Sequence, residues 1–200
     1  MLTRERKMDG EVLKRLALPS VHWKARLASI PDECRHKPVV EEWCANVGDR
    51  LLKTCGLLLF GAPSTGKSAC AAICLKAAAK AGVIGYWVAA VDLGFASVRE
   101  DQFDVDYTVE QRARYVPLLV IDNLRDVGER SAHADRVVDD VVRSRIDGGK
   151  TTIITTLLTP EQLKTRFPSF AAALMEAVVP VACAGWDFRK MIAQRMAGEL

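Results

Sequence analysis

"GLLLFGAPSTGKS", residues 56–68, joins a short unbroken apolar run to a glycine-bounded polar loop, then to a lysine and a serine. An apolar run of this length, followed at once by turn residues, reads as a central parallel strand buried on both faces. The loop matches G-x-x-x-x-G-K-[ST] at Gly61, Gly66, Lys67 and Ser68. Glycines admit backbone conformations that turn several N–H groups inward as an anion nest. A helix starting near Lys67 points its positive end at the same place. Gly61, Ala62, Pro63, Ser64, Thr65, Gly66, Lys67, Ser68 and Ala69 are therefore the candidate nucleotide-binding set. Lys67 is placed to reach the β- and γ-phosphates of ATP, and the Ser68 hydroxyl to ligate Mg²⁺.

Working outward, strands and helices alternate. A helix is expected over 38–53, an alanine-rich one from the loop to Lys80, and a second strand in "VIGYWVAAVDL" (83–93). "LLVID" (118–122) is the third strand, and Asp122 at its end is the expected second Mg²⁺ residue. Val137, Val138, Val141, Val142 and Ile146 line one face of a helix that stops at Gly148–Gly149. "TTIITT" (151–156) and "VVPVAC" (178–183) complete the strands, with Pro180 assigning the last to an edge. Residues 94–116 read as helical in pieces, and "WDFRKMIAQRMAGEL" as a closing helix. This alternation implies an α/β fold with a parallel sheet covered on both faces.

Composition narrows the rest. Two hundred residues suit one α/β domain with a short arm. A net charge of +3 is too small to mark a nucleic-acid binder by itself. No apolar run reaches membrane length, and the N-terminus lacks the apolar core of a secretory signal. The six cysteines form no CxxC pair, and His22, His36 and His133 stand at no ligand spacing from them. A metal-cysteine site is therefore not expected, and a reduced cytoplasmic location is. Residues 1–27 are basic, with Val12, Leu13 and Leu16 at helical spacing. They read as a solvated arm, or else as a docking segment for a partner protein or DNA; 28–200 is the nucleotide-binding domain.

The order "IPDECR" (30–35), helix, "GLLLFGAPSTGKS", "YWVAAVDL", "LLVIDNL", "TTLLTPEQL", "GWDFRK" resembles the AAA+ domain of bacterial DnaC-type helicase loaders. It is equally similar to the IstB-type ATPases that assist transposition. The resemblance spans about residues 28–198 and implies a P-loop NTPase sheet in the order 5-1-4-3-2 with little or no C-terminal lid. It also implies a replicative helicase as partner, single-stranded DNA as ligand, and assembly of several copies on that DNA. Arg189 in "GWDFRK" matches the arginine that the family places near the γ-phosphate.

Four positions in three places depart from the pattern. Asn123 stands where relatives carry a second acid; an amide can orient a water but cannot take its proton. Leu157 replaces a polar sensor residue, with Thr155 and Thr156 as nearby substitutes. Phe170 and Leu174 occupy the stretch that usually supplies arginines to a neighbour's site, leaving Arg166 as the candidate for that role. Lys67, Asp122, Asn123 and Arg189 are thus the catalytic candidates, and slow or partner-dependent ATP hydrolysis is expected. The segment "VREDQFDVDYTVEQRAR" after the second strand is too acidic for a phosphate track; Arg125, Arg130 and Arg136, or the N-terminal arm, suit DNA better. Other readings stay open: a transposition helper, a binding-only nucleotide switch, or a small nucleotide kinase with Asp92 as acceptor-side acid.

Overall fold

The computed structural model describes residues 8–96, 108–124, 132–185 and 187–188. Five strands form one parallel sheet: β1 (Gly56–Phe60), β2 (Gly85–Ala89), β3 (Leu118–Leu124), β4 (Thr151–Thr156) and β5 (Val178–Ala182). Their order is β2-β3-β4-β1-β5, which is 5-1-4-3-2 read from the other side. β5 pairs along β1 at the sheet edge, where Pro180 costs no ladder bond.

The continuous apolar runs are explained by burial on both faces. Leu57, Leu59, Leu118, Val120 and Ile153 face one layer, built from α2 (Lys37–Ala45) and α4 (Lys67–Lys80). Leu58, Leu119, Ile121 and Ile154 face the other, built from α5 (Ala90–Gly94), α6 (Val109–Tyr115), α7 (Ala132–Asp147), α8 (Pro160–Arg166) and α9 (Pro168–Ala177). No helix among the described residues is long and apolar enough to cross a membrane.

Several boundaries differ from the sequence reading. The helix expected over 38–53 is two, α2 and α3 (Val47–Leu52), because Asn46 leaves helical geometry at φ −115°, ψ 30°. The second strand ends at Ala89, and Val91 to Leu93 turn into α5 instead. β3 runs beyond Asp122 to Leu124 through an irregularity in its pairing with β4. Most of the expected closing helix, and residues 98–107 of the acidic segment, lie outside the described residues.

Where it is described, the arm keeps its charged residues exposed and packs three leucines on the domain. Leu13, on α1 (Gly10–Arg15), and Leu16 and Leu18 after it are buried in the same layer as α4. The Leu16 carbonyl accepts the Trp87 N–H at 2.8 Å, so the chain closes over edge strand β2. Apolar side chains at helical spacing next to an open strand edge find more surface to bury there than in water.

Arg145 is the least expected core residue. It is 0% exposed, and its guanidinium donates to Ala113 O (2.6 Å), Val116 O (2.8 Å), Thr151 O (2.6 Å) and Thr152 Oγ1 (2.9 Å). Burial pushes its pKa down to about 9, still above neutrality, so a cation sits in the core and gathers carbonyls from the end of α6 and the start of β4. Arg145→Met is expected to lower stability by at least about 3 kcal/mol, since each buried carbonyl left unpaired costs about 1–3 kcal/mol. Urea unfolding checks this, and an unchanged midpoint would contradict it.

Candidate functional site

β1 delivers the chain to Gly61 at the C-terminal edge of the sheet, and the loop returns into α4. Gly61 (φ 131°) and Gly66 (φ 86°) both take left-handed backbone. A Cβ at Gly61 would stand 2.4 Å from the Cys183 carbonyl oxygen, and one at Gly66 2.7 Å from the Phe188 ring. Space and torsion together therefore exclude a side chain at either position. The Phe188 N–H donates to Ser64 O at 2.9 Å, fastening the segment after β5 to the tip of the loop.

Lys67 opens α4 and lies folded back under the loop. Its ammonium donates to Gly61 O (2.9 Å) and Ala62 O (2.6 Å), while the Thr65 hydroxyl donates to Ala62 O at 2.9 Å. Burial pushes the Lys67 pKa down, and Cys183 and Asp122 oppose that shift. His36 is buried with neither ring nitrogen hydrogen-bonded; burial and then the charge of Lys67 hold its pKa low, so its ring is neutral at pH 7. Nothing in its sequence neighbourhood pointed to this placement.

Asp122 gathers the other half. Its Oδ1 accepts the Ser68 hydroxyl at 2.7 Å and the Thr155 hydroxyl at 2.6 Å, so α4, β3 and β4 converge on one carboxylate oxygen. Thr155 Oγ1 also accepts the Asn123 N–H at 2.8 Å. Asn123 has φ 62°, and its side chain is exposed. Asparagine is among the few residues that enter this region cheaply, and the turn it makes is the irregularity seen in β3. Thr156, one position on, donates to Leu124 O and accepts Leu158 N–H, whereas Leu157 is 41% exposed.

The remaining candidates are dispersed. Arg166 pairs with Asp135 and lies 5.3 Å from the Phe167 ring centroid. Phe170 and Leu174 are fully buried beneath α7, so core packing accounts for apolar residues at both positions. Asp92 is exposed in the first turn of α5. Arg125, Arg130 and Arg189 lie outside the described residues, and Arg136 is on α7.

A triphosphate suits this loop chemically. The glycine turns and the N-terminus of α4 favour an anion, Lys67 supplies a charge, and a cleft of about 720 Å³ opens beside Gly66, Lys67 and Ser68. Ser68 Oγ and Asp122 Oδ1 are the hard oxygen donors that Mg²⁺ prefers.

Comparison with solved structures fits the same geometry. A DnaC helicase loader superposes with a TM-score of 0.72 at 20% identity, over 83% of this chain and 100% of that one. The chain has the DnaC fold. DnaI matches with a TM-score of 0.69 at 19% identity, over 86% and 94% of the two chains. The replication initiator DnaA, bound to AMPPCP and single-stranded DNA, matches at 0.64 and 18% identity, over 88% of this chain but 55% of that one. No family model matches the sequence, and no curated protein does. The DnaC likeness read from the ordered segments therefore holds at the level of the α/β P-loop fold and its strand order.

Thr155, on β4, ties together Asp122 and the turn at Asn123 on β3. Thr155→Val keeps the shape and removes a donor to Asp122 and an acceptor for Asn123. It is expected to cost about 1.5–3 kcal/mol, the range for hydrogen bonds to charged groups. Chemical denaturation measures this, and a cost near zero would mean that neither bond holds the turn.

Proposed function

We propose that this chain binds Mg·ATP and acts as a DNA replication accessory factor of helicase-loader type, hydrolysing ATP slowly or only in assembly. The observation that carries the nucleotide half is the 2.7 Å contact of Ser68 with Asp122, made beside a glycine-shaped loop whose lysine is already seated. In this reading Gly61 to Ala69 hold the phosphates, and Ser68 and Asp122 hold the magnesium, which neutralises charge as it develops on the phosphoryl group. Arg189 is assigned to the γ-phosphate and Arg166 to a neighbouring copy's site, both from the family pattern.

The replication half rests on fold and on segment order. DnaC is a helicase loader, and the DnaA structure holds AMPPCP and single-stranded DNA. A cytoplasmic protein that docks on a replicative helicase, with copies assembling on single-stranded DNA, follows by analogy. Lys14, Arg15 and Lys24 are exposed on the N-terminal segment and are the proposed partner-facing charges. The same fold also serves the transposition-helper reading; a binding-only switch is favoured specifically by Asn123, an exposed amide where a water-activating acid would stand.

Slow chemistry follows from that amide, because a positioned general base contributes about 10²–10⁴-fold. Lys67→Ala is expected to abolish ATP binding in calorimetry. Asn123→Glu is expected to raise phosphate release from labelled ATP by about tenfold or more, although φ 62° suits glutamate poorly. Transfer of label to a nucleotide acceptor would replace this reading with the kinase one. Failure of the full chain to capture its host's replicative helicase would remove the loader role.

A further inference from the structure

The six cysteines show no pairing along the chain, yet the fold brings two of them together. Cys44, on the last turn of α2, and Cys74, in the middle of α4, have their sulfurs 3.9 Å apart. They are 30 residues apart in sequence, so the contact is made by the packing of α2 on α4. Val40 and Trp43 on α2 are buried in the same layer as Cys70, Ile73 and Cys74 on α4. The Trp43 indole N–H donates to Cys55 O at 3.0 Å, which fixes α2 beside the start of β1. Among the described residues, no other two cysteines have their sulfurs within hydrogen-bond reach.

The two sulfurs differ in access. Cys74 is 0% exposed, whereas Cys44 is half-buried and lines a cleft of about 610 Å³. One side of that cleft is Trp23, Ala25 and Leu27, which pack on the core. Lys76 on α4 donates to His22 O (3.2 Å), Trp23 O (3.2 Å) and Ala25 O, which ties that side to the helix. Arg26 and Lys80 also line the cleft, so its surroundings are cationic. Cys34, Cys70 and Cys183 are buried.

The pair is also polarised. As Cys44 ionises, the Cys74 thiol donates to it and holds its pKa below the ordinary thiol value, against burial and the charge of Glu41. Burial pushes the Cys74 pKa well up, so Cys74 keeps its proton. A thiol that ionises, faces an opening and lies near cations is the one that an oxidant meets first.

We propose that Cys44 and Cys74 form a reversible oxidative modification site, with Cys44 as the reacting thiol and Cys74 as its resolving partner. The oxidant is hydrogen peroxide, small enough for the cleft. The Cys44 thiolate attacks one peroxide oxygen, the O–O bond breaks, and the other oxygen leaves as water once protonated; Cys44 is then a sulfenic acid. The Cys74 sulfur attacks the Cys44 sulfur, an S–S bond forms and the S–O bond breaks. The departing hydroxyl takes the Cys74 proton and leaves as water. Two thiols and one peroxide thus give one disulfide and two waters. A small dithiol entering by the same cleft reverses the step by exchange and is itself oxidised to its disulfide. Closing the bond brings the sulfurs from 3.9 Å to about 2.05 Å. Cys44 is the next-to-last residue of a nine-residue helix that breaks at Asn46, so this end supplies the movement while Cys74 stays in the core.

The test treats the full folded chain with hydrogen peroxide, alkylates the remaining thiols in denaturant and maps the peptides. A Cys44–Cys74 peptide short of two hydrogens, reopened by dithiothreitol, is the expected product. Cys74→Ala is expected to stop at the sulfenic acid, trapped on Cys44 by dimedone. Cys44→Ser is expected to slow oxidation of Cys74 about tenfold or more, since the accessible thiolate is gone. Recovery of both thiols unmodified in the unaltered chain would overturn the proposal, as would linkage of Cys44 to a different cysteine. Equal selectivity for the Cys44–Cys74 link in urea would also sink it, because the pair exists only while α2 lies on α4. The mapping of the unaltered chain decides the matter even if a variant fails to fold.

Discussion

One carboxylate oxygen, Asp122 Oδ1, accepts two hydroxyls, from Ser68 on α4 and Thr155 on β4. That convergence depends on strand order. β4 lies between β1 and β3, so a side chain at its C-terminal end can reach the acid on one neighbour while the loop leaving the other brings Ser68 over the top. A different crossover pattern would put the same residues on separate edges. Sheet order is thus a property of the site as much as of the fold, as expected where ligands sit outside the carboxyl ends of parallel strands.

Much of this was legible because it is local. β1 coincides with its apolar run, since a strand buried on both faces leaves no polar residue to blur its ends, and β4 coincides with a run of β-branched threonine and isoleucine. The loop and Asp122 were legible as motif and spacing. The break at Asn46 was not, because one residue leaving helical geometry changes no periodicity on either side. The turn at Asn123 was hidden for another reason: the residue was read for its missing carboxylate, whereas its backbone, at φ 62°, is equally particular.

Arg145 shows a signal present and outweighed. It falls seven residues after Val138 and three after Val142, on the buried face of α7, yet arginine is seldom fully buried, so the residue type masked the period. The carbonyls that justify it lie in elements distant in sequence. Lys76 was invisible for the same reason: nothing near it announces that three carbonyls of the N-terminal segment will converge on its ammonium. Contacts between a long cation and remote main chain carry no sequence pattern.

The Leu16 carbonyl on Trp87 has a practical side. β2 is an outer strand, and the chain before residue 20 shields it much as a selvedge keeps woven cloth from unravelling. Trimming the N-terminus back to residue 27 would therefore strip off three buried leucines and leave a bare β-ribbon margin available to other molecules. Clumping of such a shortened chain would reflect that uncovered margin, and a partner lost along with it would carry no information about docking.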